Sequence, residues 1–206
     1  MRVKNPSALI DEFLGSTHIF AQVVENIVQE NLVKQASDGT LTYSQFKLLK
    51  LVTMSDLISI GDVAAFLSIS NAAASKAVDR LVRKRLIQRA EFAKDRRAVQ
   101  LSPTEAGARI IGTYEELKAR HLPKIFSAVQ ASKLKGVSQL LDGLSVRLVE
   151  RAPERARTTC LQCGIFYRRS CLMRLQANRS CFYHDRRTRK STTPRHEKTL
   201  TASGHR

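Results

Sequence analysis

The sequence contains no tryptophan, and only 6% of its 206 residues are aromatic. The 43% hydrophobic content is therefore mostly aliphatic, which favours packed helices over an aromatic-rich β architecture. No run of 18 or more apolar residues occurs, and Asp11 and Glu12 interrupt any apolar core of a signal peptide. These absences predict a cytoplasmic protein with no membrane partner.

The motifs of common enzyme classes are also missing. The sequence has no phosphate-binding glycine loop, no Gly-x-Ser-x-Gly elbow and no His-Glu-x-x-His motif. A thiol-redox enzyme would place its cysteine pair at a helix start beside a strand, and no such context surrounds Cys160 and Cys163. We therefore expect a binding protein rather than an enzyme.

Acidic residues become scarce towards the end of the chain. Residues 1–150 contain 21 Lys and Arg against 15 Asp and Glu, a net charge of +6. Residues 151–206 contain 14 against 3, a net charge of +11. The total of +17 predicts a polyanionic partner, in first place nucleic acid.

Helical periodicity and helix-ending residues predict most of the first part of the chain. One long helix is expected from Ser7 to Ala36, and a last amphipathic helix from Lys133 to Arg151. Thr42 and Gln45 have the spacing of a capping box for the next helix. Pro123 lies within a later helical pattern and predicts a kink or break.

Residues 60–101 carry the most informative pattern. Two helices are predicted at 61–67 and 71–85, and two short strands at 86–89 and 98–101 with a charged loop between them. This order is that of a winged helix-turn-helix, which lays its second helix in the DNA major groove. The predicted fold is mainly α with a small β-hairpin wing, and the winged helix-turn-helix is flanked by dimerisation helices.

The second helix has residues suited to reading DNA. Asn71 and Ser75 can hydrogen-bond base edges, and alanine can contact a thymine methyl group. Cations along the helix and in the hairpin loop would meet phosphates or the minor groove. A basic helix face is often merely solvated, but the order of elements here favours DNA. The predicted DNA-binding residues are Ser70, Asn71, Ala72, Ala73, Ser75, Lys76, Arg80, Lys94, Arg96 and Arg97. The residues predicted to face the core are Ala74, Ala77, Val78 and Leu81.

Four segments resemble the MarR family of bacterial transcriptional regulators. They are residues 42–46, 71–87, the loop 95–97 and the step Leu-Ser-Pro-Thr-Glu-Ala-Gly at 101–107. The resemblance covers roughly residues 8–150. It implies an obligate homodimer that binds a pseudopalindromic operator in double-stranded DNA and is often released by a small-molecule or redox effector. It also implies recognition by residues 70–76 and a minor-groove contact by Arg96 or Arg97; we expect a repressor.

The broad apolar faces of the first and last predicted helices indicate a dimer independently of the resemblance. One small winged domain cannot cover both faces, whereas a second chain would bury them. We divide the chain into a regulator domain at 1–151, a cysteine-rich extension at 152–187 and a disordered basic tail at 188–206.

The extension contains all four cysteines of the chain, Cys160, Cys163, Cys171 and Cys181. In a reducing cytosol such clustering favours a metal site over disulfides. Four thiolates suit a structural zinc ion, and an iron–sulfur cluster takes the same ligands. We expect zinc, with His184 as a possible replacement ligand. The family resemblance does not account for this extension.

Two other functions remain compatible with the sequence. The protein would be a redox-sensing regulator if its cysteines held an iron–sulfur cluster. It would be an architectural nucleic-acid binder if its basic tail dominated the interaction with DNA. Selectivity against competitor DNA, and the colour of the purified protein, would distinguish these alternatives.

Overall fold

A computed structural model describes residues 6–54, 58–67, 69–92, 95–151 and 171–176. The helices are α1 (Pro6–Val23), α2 (Glu30–Ala36), α3 (Tyr43–Met54), α4 (Ile60–Leu67), α5 (Asn71–Arg83), α6 (Glu105–Phe126), α7 (Ala131–Glu150) and α8 (Leu172–Leu175). The strands are β1 (Ile87–Phe92) and β2 (Asp95–Pro103), which pair antiparallel. The prediction of a mainly helical fold with a small hairpin is confirmed.

The long first helix contains a π-helical segment, Val24–Gln29, between α1 and α2. Helical backbone angles continue across both joints, so α1, this segment and α2 follow one another without a turn. Gln29 is buried, and its side-chain oxygen accepts a hydrogen bond from the hydroxyl of Tyr43. Burial, and after it the charges of Glu25 and Glu30, raise the pKa of Tyr43 to about 12, which keeps this hydroxyl protonated as a donor.

Side-chain caps determine where α3 and α4 begin. The amide of Thr42 donates to Gln45 at 3.2 Å, and the amide of Gln45 donates to the Thr42 hydroxyl at 3.3 Å. This reciprocal pair is the predicted capping box. A second one, which the sequence analysis does not predict, links Ser59 and Asp62, with the Asp62 amide 3.2 Å from the Ser59 hydroxyl.

The core lies where α3, α4, α5 and the base of the hairpin meet. It is closed by an isolated bridge in which the amide of Leu101 donates to the carbonyl of Ile58 at 2.9 Å. The side chains that are at most 1% exposed include Phe46, Leu49, Val52, Ile58, Val63, Val78, Leu81, Ile87 and Leu101. Burial of this aliphatic set supplies the main driving force for folding of the winged domain.

The segment that follows α5 is hydrogen-bonded to the residue that begins α6. The Thr104 amide donates to the carbonyl of Leu86 at 3.0 Å, and its hydroxyl donates to the carbonyl of Arg85 at 2.7 Å. The same hydroxyl accepts from the Gly107 amide at 3.1 Å and caps α6. A Cβ at Gly107 would lie 2.1 Å from the Leu86 carbonyl oxygen, so only glycine fits this approach.

A partly buried ion pair links α3 to α6. The ammonium of Lys50, whose side chain is only 6% exposed, lies 2.5 Å from the carboxylate of Glu115, which also contacts Lys118. Partial burial opposes ionisation of Glu115, but the hydrogen bonds and charges of the two lysines together outweigh it. The pKa of this carboxyl therefore lies below its usual value. The pair orients α6 against the winged domain.

The helix containing Pro123 departs from the predicted pattern. The sequence predicts a kink or a break at Pro123, and α6 continues through this residue to Phe126, so the helix is not broken. A proline inside a helix removes one backbone hydrogen bond and crowds the carbonyl four residues before it, which this helix accommodates without ending. The last helix, expected at Lys133 to Arg151, is α7, which runs from Ala131 to Glu150.

The apolar faces of α1 and α7 lie at the surface. No residue of α1 is buried, and α7 buries only Val146. The side chains that are 51–66% exposed on these two helices include Leu9, Ile10, Leu14, Ile19, Phe20, Val137, Leu140 and Leu148. Among the described residues, no helix is long and apolar enough to cross a membrane.

Replacing Gly107 with alanine should destabilise the fold by about 1–3 kcal/mol, because the new methyl group collides with backbone rather than with a movable side chain. Gly112→Ala is the matched control on the same helix, since a Cβ added there would have no neighbour within 4 Å. That control should raise stability by about 0.5–1 kcal/mol through helix propensity. Urea unfolding at one protein concentration measures both. Equal effects of the two substitutions would contradict the close approach at Leu86.

Candidate nucleic-acid interface

The turn before α5 fixes where this helix begins. Ser70 has an extended backbone, with ψ of 154°, and its hydroxyl accepts a hydrogen bond from the Ala73 amide at 3.2 Å. The sequence predicted Ser70 as a DNA contact. The structure shows in addition that its hydroxyl caps the helix and holds the exposed first turn in place.

The inner face of α5 is the one predicted from the sequence. Ala74, Val78 and Leu81 are fully buried, and Ala77 is partly buried against the same core. Since these residues recur every three or four positions, they anchor one side of the helix and leave the opposite side at the surface. The prediction for this face is confirmed.

The outer side of the first turn is narrow and accessible. Asn71, Ala72 and Ala73 are exposed, and Ser75 is half-buried. Small side chains allow another molecule to approach the helix backbone closely, and Asn71 adds a hydrogen-bonding amide. The structure therefore brings together four of the residues predicted to contact bases.

Positive side chains follow along the same helix. Lys76, Arg80 and Arg83 line a shallow depression of about 470 Å³ together with Asp79 and Val82. Lys76 and Arg80 are exposed, as a role in contacting phosphates requires. Asp79 was not among the predicted site residues, although it is the only acidic residue of α5.

Other cations near α5 are engaged within the protein. The ammonium of Lys84 donates to the carbonyl of Thr40 at 2.8 Å, which ties the end of α5 to the segment before α3. Arg85 has a positive φ of 55° and forms the left-handed residue after the helix. Arg89 on β1 donates to Asp79 at 2.6 Å. Lys84 and Arg89 therefore have partners within the protein, which the sequence pattern alone could not reveal.

The hairpin is longer than the sequence indicated. β1 continues to Phe92 and β2 starts at Asp95, so Arg96 and Arg97 lie in the second strand rather than in a loop. The register changes between Glu91 and Phe92, next to the tip. The strand backbone includes Arg96 and Arg97, while Lys94 lies outside the described residues.

A groove beside α5 was not anticipated. It measures about 360 Å³ and is lined by Lys47 of α3, by Leu67 and Ile69 at the end of α4 and in the turn after it, and by Arg80 of α5, among others. These residues come from three separate segments, so no local pattern could reveal it. Lys47 and Arg80 extend the basic surface from α5 towards the start of α3.

Three of the four predicted metal ligands, Cys160, Cys163 and Cys181, lie outside the described residues, as does His184. Cys171 is described; its thiol is free and half-buried at the start of the short helix α8, which packs against α7. Within the described ranges, no group of three or more His, Cys, Asp or Glu side chains could hold a metal ion. The predicted metal site remains a prediction.

Comparison with known proteins gives a family match for the winged part of the chain. Residues 39–98, which include α3, α4, α5 and most of the hairpin, match the sequence profile of the MarR family. A curated relative, the uncharacterized HTH-type transcriptional regulator YpoP of Bacillus subtilis (strain 168), is 25% identical over 114 residues. That match spans 55% of this chain and 81% of the relative.

Solved structures share the fold over a longer stretch. Streptococcus pneumoniae FabT in complex with DNA has a TM-score of 0.56 at 19% identity, covering 70% of this chain and 98% of that one. RV1404 from Mycobacterium tuberculosis has the same TM-score and identity, covering 70% and 95%. Residues 39–98 thus resemble the MarR family in sequence, and the winged helix-turn-helix fold around them is shared with these solved structures.

Proposed function

We propose that this protein regulates transcription by binding a specific sequence in double-stranded DNA, with α5 in the major groove. One observation carries the proposal: α5 is anchored by a buried inner face while its outer face presents small residues first and cations after them. A recognition helix has to approach base edges closely at its N-terminal end, and cations nearby neutralise phosphates. The likeness in fold to FabT, which was solved with DNA, supports this docking.

The residues divide into two roles. Asn71 and Ser75 hydrogen-bond base edges, and Ala72 and Ala73 allow close approach and contact with thymine methyl groups. Lys76 and Arg80 meet phosphates, which position the protein without reading sequence. The cations expected to reach the minor groove or its phosphates from the hairpin are Lys94, Arg96 and Arg97. A protein bound across a promoter blocks polymerase, so we propose repression.

The two roles predict different effects of substitution. Asn71→Ala should weaken binding to a duplex enriched by the wild-type protein from a random library, and leave binding to a scrambled duplex unchanged. Lys76→Ala should weaken both and reduce the slope of log affinity against log salt by about 1. Lys135→Ala, which removes an exposed cation from the polar side of α7, is the matched control and should change neither. Titration by fluorescence anisotropy at several salt concentrations measures these effects. If Asn71→Ala lost the same affinity for both duplexes, Asn71 of α5 would not read the DNA sequence, which would contradict the proposal.

We propose that two copies of the chain associate through α1, α7 and the end of α6. The support is the unburied apolar surface of α1 and α7, together with Ile125 and Val129 near the end of α6, 63% and 41% exposed. Contiguous exposed apolar surface of this extent is unfavourable in a monomer and is typical of a subunit interface. A two-fold dimer would present two α5 helices to the two halves of a pseudopalindrome.

A charge placed in this interface should break it. Val137→Glu puts a carboxylate on the apolar face of α7 and should shift the protein from twice the chain mass of 23.1 kDa towards a single chain. Gln139→Glu, on the polar side of the same helix, introduces the same charge and should remain dimeric. Size-exclusion chromatography with light scattering distinguishes the two. A wild-type protein that elutes as one chain at micromolar concentration would contradict the proposal.

We further propose that Cys160, Cys163, Cys171 and Cys181 bind one zinc ion per chain. The support is the grouping of all the cysteines in one segment and the half-buried, free thiol of Cys171 beside α7. An iron–sulfur cluster on the same thiolates is the alternative, and it would make the regulator a redox sensor. Bound metal would stabilise a segment that is too short to build an apolar core.

Elemental analysis of protein purified without oxygen should find one equivalent of zinc. Cys160→Ser should lose most of this metal, because one thiolate of four is removed, while Thr159→Ser next to it should retain the metal. The dimeric winged core should survive in both variants, since it has its own buried side chains. Iron in place of zinc, with a brown colour of the protein, would show that the cysteines hold an iron–sulfur cluster. Absence of both metals would contradict the proposed metal site.

A further inference from the structure

The only acidic residue of α5 lies on the side of the helix that would face DNA. Asp79 lines the same depression as Lys76, Arg80 and Arg83. A carboxylate opposite phosphates reduces affinity for any duplex, because both carry negative charge. We therefore expect Asp79 to have a role other than contact with the DNA backbone.

Asp79 connects α5 to the hairpin. Its Oδ1 atom lies 2.6 Å from Nη2 of Arg89, in the third position of β1. Ile87, two residues before Arg89, is 1% exposed, so the side chains on this face of β1 point towards α5. The base of the hairpin is thus held at Ile87 by apolar packing. The ion pair holds it again at Arg89, two residues closer to the tip.

The exposure of the pair argues against a mainly structural role. The side chains of Arg89 and Asp79 are 38% and 44% exposed, and an ion pair so open to solvent contributes little to folding stability. The ion pair has a larger effect on geometry than on stability. Only three residues separate the end of α5 from the start of β1, and β1 then extends to Phe92. A small rotation at the base of the hairpin would move its tip by a larger distance.

We propose that Asp79 and Arg89 are positioning residues for DNA recognition. Their ion pair sets the angle between α5 and the hairpin, so that helix and hairpin fit their grooves on the DNA at the same time. The pair also neutralises the one negative charge on this helix. The inference rests on the proposed DNA-binding function.

This role predicts a result opposite to that of charge alone. Asp79→Asn makes the surface more positive, so simple electrostatics predicts tighter binding to every duplex. Loss of positioning predicts weaker binding to the preferred duplex, together with unchanged or tighter binding to a scrambled one. The ratio of the two affinities therefore distinguishes the two explanations.

The test uses the full-length protein, a duplex enriched by the wild type from a random library, and a scrambled duplex of equal length and composition. Asp79→Asn should weaken binding to the enriched duplex about two- to fivefold, the range expected for loss of one exposed ion pair. The double variant Asp79→Arg with Arg89→Asp restores the pair at unchanged net charge, and should recover most of the affinity. Glu105→Gln is the matched control, because it makes the same change of charge and breaks another solvent-exposed ion pair, with Arg109, at the start of α6. It should leave the ratio of affinities unchanged.

The outcomes separate this inference from the function on which it rests. If the wild type enriches no sequence, the proposed function fails and the inference fails with it. If it does enrich one, and Asp79→Asn retains or improves the ratio of affinities, only the positioning role is overturned. Failure of the swapped pair to recover affinity also overturns it, as does a melting temperature for Asp79→Asn far below that of Glu105→Gln.

Discussion

The junction between the end of α5 and the start of α6 is the constraint on which the rest of the structure depends. Thr104 binds the carbonyls of Arg85 and Leu86 through its hydroxyl and amide, and Gly107 lets α6 approach to backbone contact. These bonds satisfy carbonyl groups of the short segment between α5 and β1. They also fix the direction in which α6 leaves the winged domain. In the proposed dimer, that direction would determine how far apart the two copies of α5 lie.

The second organising element is the division of positive charge around α5. Lys84 is held by the carbonyl of Thr40, and Arg89 by the carboxylate of Asp79. Lys76 and Arg80 remain exposed on the outer side of the helix. A count of charges cannot distinguish these groups, because all belong to one basic stretch of sequence. The contacts within the protein distinguish them, because Lys84 and Arg89 have partners there. Lys76 and Arg80 are therefore the cations proposed to contact phosphates.

Sequence reasoning succeeded where a short pattern has one physical solution. The capping box at Thr42 and Gln45, and the buried face of Ala74, Val78 and Leu81, follow from spacing alone, and the structure confirms both. It failed where the outcome depends on distant partners. The need for glycine at 107 arises from the approach of the Leu86 carbonyl, which belongs to another segment. A proline pattern alone does not decide between a kink and a break, and the structure shows that α6 is not broken at Pro123.

The central claim is that two copies of α5 enter the major groove of one operator. Hydroxyl-radical footprinting of the wild-type protein on its enriched duplex tests this most directly. The account predicts two protected tracts related by two-fold symmetry, with centres about 10 base pairs or a small multiple of that apart. A single protected tract without symmetry, or even protection along the whole duplex, would contradict it.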